Sequence, residues 1–286
     1  MKTGKMILTI VVSVAALIVA SILSQELLVG LLNMLADGGV PAWLYQIISG
    51  LAYIASTYII VWFFVKKCLK EEMAAYGIPG FRIKGKWAAA AVLLPVAVSA
   101  VYLLLPGSFV TQPLDNGTKA GFVFRGIFLA GLGAGIVEEM LFRGLLMHAV
   151  IKKFGRTVGI FAPSVLFASL HIIGMKFSLL SCAQVMIAGT LVGIMFSLIA
   201  LEGESVWNSA IVHALWNMII IGGGMTIGTE LNDYAVCSYV LETHSFLLTG
   251  GEFGIESSVV SMIGYLVVSL VAWRCIGGGM KRSDVL

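Results

Sequence analysis

Charge is what this chain has least of: Asp, Glu, Lys and Arg make up 12% of its 286 residues, whereas 59% are hydrophobic, and mean hydropathy is strongly positive. So few charges exclude an ordinary soluble globular domain. The net charge of +3 is small and supplies no basic surface for a nucleic-acid partner. Cysteine is also scarce: Cys68, Cys182, Cys237 and Cys275 show no CxxC or other paired spacing, which excludes a disulfide framework and a cysteine zinc site. No fixed-period repeat, low-complexity tract or soluble domain interrupts the chain. The GxSxG of serine hydrolases and the HExxH of zinc peptidases are both missing.

What remains is a series of apolar stretches. Crossing a hydrocarbon layer of ~30 Å takes about 20 helical residues, and eight segments qualify: 6–30, 43–65, 87–105, 122–150, 157–174, 178–201, 205–222 and 257–276. The expected fold is all-α, a polytopic membrane bundle of about eight helices in one integral membrane domain, 1–286. Lys2 and Lys5 precede the first segment, and Lys66, Lys67, Lys70, Arg82, Lys84 and Lys86 fill the link after the second. Lys152, Lys153 and Arg156 follow the fourth, and Lys281 and Arg282 follow the eighth. Eight crossings put all of these on one side, leaving Lys119 and Lys176 opposite and Arg125 at a border. The positive-inside rule then places both termini in the cytoplasm. The outward 223–256 link agrees, with Glu230, Asp233, Glu242, Glu252 and Glu256 and no Lys or Arg. The first segment has a basic start but too long an apolar run, and no convincing cleavage site, for a signal peptide. The link "KKCLKEEMAAYGIPGFRIKGK", 66–86, starts amphipathic and is broken by Gly77, Pro79 and Gly80; its first reading is a surface helix on anionic lipid, with a substrate gate as the alternative.

Against this background "GIVEEMLFRGLL", 135–146, stands out, because it carries Glu138, Glu139 and Arg143 inside an apolar segment. Each ionised group at mid-bilayer costs about 2.5–3.5 kcal/mol on insertion scales, so the three require a protein-lined, partly wet interior. Glu139 and Arg143, four apart, share a helix face and can pair; Glu138 points elsewhere and is left free. An ion pair that merely fixes packing explains Glu139 and Arg143 but not the second carboxylate. Gly131, Gly133 and Gly135 form a small face that lets another helix approach closely. Two further segments offer partners: Phe167 and His171 are four apart on the fifth, and His213 and Asn217 four apart on the seventh. Two His, an Asn and a spare Glu on three membrane segments read as one converging polar site. His148, near the end of the fourth segment, and His244, in the outer link, read as interface or solvated residues. Trp216 reads as packing, with pocket lining as the alternative.

Taken in order, EExxxR (Glu138, Glu139, Arg143), FxxxH (Phe167, His171) and HxxxN (His213, Asn217) resemble the CPBP family of intramembrane endopeptidases. This is also called the Abi or CAAX-protease-and-bacteriocin-processing family, and it includes the type II CAAX prenyl endopeptidases. The resemblance covers a core of about residues 120–222 and none of the first three segments. It implies an eight-helix bundle whose site, open towards the cytoplasm and the membrane, cleaves peptide bonds with an activated water. By position it implies that Glu138 and His171 activate the water, that His213 and Asn217 form the oxyanion site, and that Glu139 with Arg143 supports Glu138. Bacterial relatives often have no known CAAX substrate, so a reaction is implied and a substrate is not.

The residue chemistry fits that expectation independently. Peptide hydrolysis needs a base for water, donors for the developing oxyanion and a proton for the leaving amine. Glu138 and His171 supply the first and last, and the unionisable amide of Asn217 with His213 supplies the second. Ser169 and Ser209 lie near the histidines without a strained elbow, which disfavours serine catalysis. Glu138, His171 and His213 form a two-His, one-Glu set of the kind that holds catalytic zinc; the absent HExxH counts against it, so no cofactor is expected and zinc there is the alternative. The expected partners are a membrane-associated peptide or protein substrate and the lipid bilayer, in the plasma membrane of a bacterium. The rival classes are a catalytically silent peptide-binding or immunity scaffold and a proton-coupled transporter; no repeat symmetry of the latter's kind is visible.

Overall fold

A computed structural model describes residues 1–35, 39–174 and 178–279. Lys176, Lys281 and Arg282 of the charge pattern lie outside the described residues. Among the described residues helices dominate: α1 (Thr3–Met34), α2 (Ala42–Leu69), α3 (Gly85–Leu103), α4 (Asn116–Phe154), α5 (Arg156–Leu170), α6 (Leu179–Gly203), α7 (Val206–Ile221) and α8 (Val259–Gly277). Six of these are long and apolar enough to cross a membrane, and the chain is an all-α, multi-pass integral membrane protein. The two shorter helices are α5 and α7, the carriers of the two histidine motifs. At 1.5 Å per residue, the 15 residues of α5 reach only about 22 Å, so its last turn, and His171 just beyond it, falls short of a full ~30 Å crossing.

The polar residues inside α1 show how such helices tolerate an apolar setting. Thr9 donates to the Lys5 carbonyl at 2.7 Å, Ser13 to that of Thr9 at 2.8 Å and Ser24 to that of Ala20 at 2.7 Å. No buried hydroxyl of these three is left without an acceptor. Two apolar clusters fill the bundle. One joins α1, α2 and α4 through Tyr53, Val61, Phe64, Val137 and Leu141, and the other joins α3, α6, α7 and α8 through Trp87, Phe196, Val212, Trp216 and Tyr265.

α4 begins on Asp115, whose carboxylate accepts from the backbone N–H groups of Gly117 and Thr118. The hydroxyl of Thr118 and these backbone donors hold the Asp115 carboxyl below its usual range. The helix then alternates α and π turns, with π stretches at Arg125–Ala134 and Glu139–Leu146. Each π turn displaces carbonyls from the regular ladder, and side chains use them: His148 donates from Nδ1 to the carbonyls of Arg143 and Gly144, 2.9 and 3.0 Å away. His148 is therefore a half-buried packing residue, as its position at the helix end suggests.

The small residues of α4 set its distance from α7. A Cβ on Gly135 would lie 2.7 Å from the backbone N of Ala214, one on Gly131 2.4 Å from Cγ of Met218, and one on Gly126 2.7 Å from Cα of Gly222. The two helices thus run antiparallel with their backbones nearly in contact.

Lys66, Lys84, Lys86 and Lys152 gather at one end, whereas Lys119 and Arg125 lie near the start of α4. The terminal amine donates to the Lys152 carbonyl, Lys152 pairs with Glu71, Lys66 pairs with Glu72, and Lys84 and Lys86 both reach the carboxylate of Glu202. Within this end the 66–86 link departs from the surface-helix expectation. Lys70 and Gly77 take left-handed conformations, with φ of 59° and 64°, around one short 3₁₀ turn, Met73–Tyr76. Tyr76 and Ile78 are buried, the Gly77 carbonyl accepts from Val206 N at 2.9 Å, and the Pro79 carbonyl accepts from the Trp207 indole at 2.8 Å. The link is a strap fastened to the start of α7, because its apolar residues find a protein surface to cover rather than lipid.

At the opposite end three short strands, β1 (Gly107–Thr111), β2 (Met225–Gly228) and β3 (Cys237–Leu241), form a sheet of order β1-β3-β2. β1 runs antiparallel to β3, with Gly107 opposite Leu241, and β2 runs parallel to it, with Met225 opposite Cys237. The outer link is therefore structured, and it returns through the turns at 246–257 to the head of α8.

Candidate active site

Adjacent helical residues diverge by about 100°, and this separates the two carboxylates of α4. Glu139 is fully buried, at 0% exposure, while the Glu138 side chain keeps 20%. Glu139 Oε1 accepts from Arg143 Nη1 at 2.9 Å, the pair expected from their spacing. Arg143 also donates from Nη2 to the Gly193 carbonyl at 3.2 Å, and its guanidinium lies 4.5 Å from the Phe167 ring centre and 5.2 Å from that of Phe196. Two rings and a carboxylate thus take the place of the cation's water.

The same Glu139 oxygen lies 3.2 Å from Nδ1 of His213, which reaches it because the glycine face of α4 lets α7 in so closely. Glu139 consequently holds both Arg143 and His213. A carboxylate paired with Arg143 can only accept, so His213 Nδ1 carries the proton. Its Nε2 lies 3.9 Å from Glu138 Oε2, and the ring stacks on Phe196 with centres 4.6 Å apart. One turn further along α7, Asn217 donates from Nδ2 to the Ala130 carbonyl at 2.8 Å, within the first π stretch of α4. That bond uses one of its two amide hydrogens.

His171 follows the end of α5, where its Nδ1 lies 2.8 Å from the Phe167 carbonyl. Because a carbonyl only accepts, Nδ1 donates, and in the neutral ring Nε2 bears the lone pair. The Phe167 ring packs against that imidazole at 4.6 Å.

Glu138, His171, His213 and Asn217 all line one cavity of about 250 Å³, at the seam between the two apolar clusters. All four candidate residues read from the sequence are therefore together, with Phe167 in the wall and Glu139 and Arg143 buried behind it. Trp216 lines the cavity as well as packing. The motifs do not point to Phe196, Phe253, Glu256 or Tyr265, which also contribute wall. Phe253, Glu256 and Ser257 come from the end of the bundle opposite the basic clusters. This loop wall lies at the sheet end of the bundle. α5 is short and stops on this side, which leaves His171 next to these turns. Among the described residues no group of three or more His, Cys, Asp or Glu is gathered as a metal site.

Comparison with known proteins agrees with the motifs. Residues 120–219 match the model of a family described as Type II CAAX prenyl endopeptidase Rce1-like. No curated protein and no solved structure matches the chain. The matched stretch contains both carboxylates, Arg143, both histidines and Asn217, and over it the chain is similar to that CAAX-protease-like family.

Proposed function

We propose that this protein is an intramembrane endopeptidase that hydrolyses peptide bonds of a membrane-associated peptide or protein, using a water activated by Glu138 and His171. One observation carries the reading: four side chains from three separate helices, Glu138, His171, His213 and Asn217, line a single cavity in an otherwise apolar bundle. Structural packing alone gives no reason to bring them to one void. The match to a protease family supports the same class of reaction.

In the proposed reaction the water sits between the Glu138 carboxylate and the cavity side of His171. Glu138 takes a proton as the water oxygen bonds to the scissile carbonyl carbon. The carbonyl oxygen becomes an oxyanion, met by the second Asn217 amide hydrogen and by His213. Since Nδ1 of His213 is engaged by Glu139, donation to the oxyanion requires the doubly protonated ring, with the second proton on Nε2. Glu138 hands the proton it took to the lone pair on Nε2 of His171; as the carbonyl re-forms and the C–N bond breaks, His171 passes that proton to the leaving amine, and the hydroxyl from water stays on the new carboxyl group. General acid–base catalysis contributes typically about 10²–10⁴-fold, and one oxyanion donor about 10²–10³-fold. Every group in the cycle is a protein side chain, and zinc held by Glu138, His171 and His213 is the alternative that metal analysis separates from it. The proposed setting is a bacterial plasma membrane.

The test is turnover. Purified protein in lipid nanodiscs, given membrane-peptide mixtures, is expected to create new chain termini by mass spectrometry that are absent with Glu138→Gln. Peptide binding without any cutting would instead favour a silent scaffold.

A further inference from the structure

One wall of the cavity has no part in the hydrolysis described above. Glu256 lies in the 3₁₀ turn Ile255–Ser257, outside the membrane-spanning helices and just before α8. Its position is firmly built. Its backbone carbonyl accepts from Tyr265 OH at 3.0 Å, Ser261 donates to the neighbouring Ile255 carbonyl at 2.6 Å, and Ser257 donates to the Gly250 carbonyl at 2.7 Å. The Trp216 and Tyr265 rings beside it meet edge-on with centres 5.1 Å apart. Trp216, Tyr265, Phe253 and Glu256 all line the cavity.

Apart from the histidines, the charge of the lining has one sign. Among the described residues it includes the carboxylates Glu138 and Glu256 and no Lys or Arg. Burial pushes the Glu256 carboxyl up to about 7, with nearby Trp216 and His213 opposing and Glu138 reinforcing that rise. His171, from α5, and Tyr265, from α8, are the other titratable groups in the lining, and α6 contributes only uncharged residues. A peptide presenting a carboxylate here would face two acids. A cation would favour the ionised Glu256 and find aromatic rings beside it, the usual surroundings of a bound ammonium or guanidinium.

Resting on the peptidase reading, we infer that Glu256, with Trp216, Tyr265 and Phe253, forms a specificity subsite for a lysine or arginine side chain of the substrate, close to the scissile bond. The rings accept the aliphatic stem and the carboxylate meets the charged head. Removal of the carboxylate abolishes the preference for charge, whereas hydrolysis itself depends on Glu138.

The experiment compares two labelled membrane peptides, identical except for lysine or norleucine beside the cleavage position, on the wild type and on Glu256→Gln, Glu256→Asp and Glu256→Lys in nanodiscs. Both kcat/KM and Kd, by fluorescence anisotropy, are measured. The wild type is expected to favour lysine about tenfold or more, in keeping with loss of a desolvated charge pair. Glu256→Asp should keep a preference of the same sign, Glu256→Gln should bring the ratio towards one, and Glu256→Lys should reverse it. A wild-type ratio of one or below, or a ratio unchanged in folded Glu256→Gln, would overturn the subsite. If the wild type cuts neither peptide, the peptidase reading fails, and the Kd ratio still decides the subsite by the same criteria.

Discussion

His213 Nδ1 lies 3.2 Å from Glu139 Oε1, the oxygen that also accepts from Arg143. One buried carboxylate therefore ties the histidine of α7 to the guanidinium of α4, and the neighbouring Glu138 is left facing the cavity. Two adjacent acids are separated by one helical step into a packing partner and a cavity-facing carboxylate.

Removing one member of the buried pair should be worse than removing both. Arg143→Ala leaves Glu139, at 0% exposure, without its counter-charge, a situation that costs about 3–5 kcal/mol in other proteins. Thermal unfolding in detergent should show a large fall in Tm for Arg143→Ala, with partial recovery in Glu139→Gln/Arg143→Met. Equal Tm in Arg143→Ala and wild type would mean the pair is not buried as described.

Close packing of α4 on α7 should be as important as the charged groups. A Cβ at Gly135 would lie 2.7 Å from Ala214 N, a backbone atom that cannot turn aside. Gly135→Ala is expected to push α7 outward and lower turnover at least about tenfold, since misplacement by about 1 Å can cost 10²-fold. Gly30→Ala, where nothing lies within 4 Å, is its control and should leave turnover near wild type.

These two cases also show what could be read before folding. The Glu139–Arg143 pair follows from a four-residue spacing and the glycine face from a run of small residues, since both are local and periodic. Glu256 is neither: it sits in a turn, and only the path of the chain over the sheet brings it to Trp216 and Tyr265. The strands escape notice because they are four or five residues long and β1 pairs with β3 across more than a hundred residues of sequence. The 66–86 link is misread as a lipid-surface helix because its apolar residues look unpartnered until α7 is placed beneath them.

Topology is open to a direct check. In a cysteine-free background, Tyr234→Cys, exposed at the sheet end, should react with a membrane-impermeant maleimide added outside intact cells, and Lys70→Cys should not. The reverse pattern would invert the bundle and put the Glu256 wall in the cytoplasm.

A water activated by Glu138 and His171 needs no cation. Activity should survive chelation and metal-free dialysis, with sub-stoichiometric metal in active protein by elemental analysis. Stoichiometric zinc that tracks activity and is lost in His171→Ala would establish the alternative, with the metal as Lewis acid and source of hydroxide.

The most direct test of the central claim is the turnover number of Glu138→Gln, measured beside wild type on a peptide the wild type cleaves, with Tm confirming that both are folded. Glutamine keeps the shape of the side chain and cannot take a proton from water, so kcat should fall by about 10²–10⁴-fold with little change in Tm. Activity within a factor of about two of wild type in folded Glu138→Gln would be far outside that range and would contradict the assignment of Glu138 as the base.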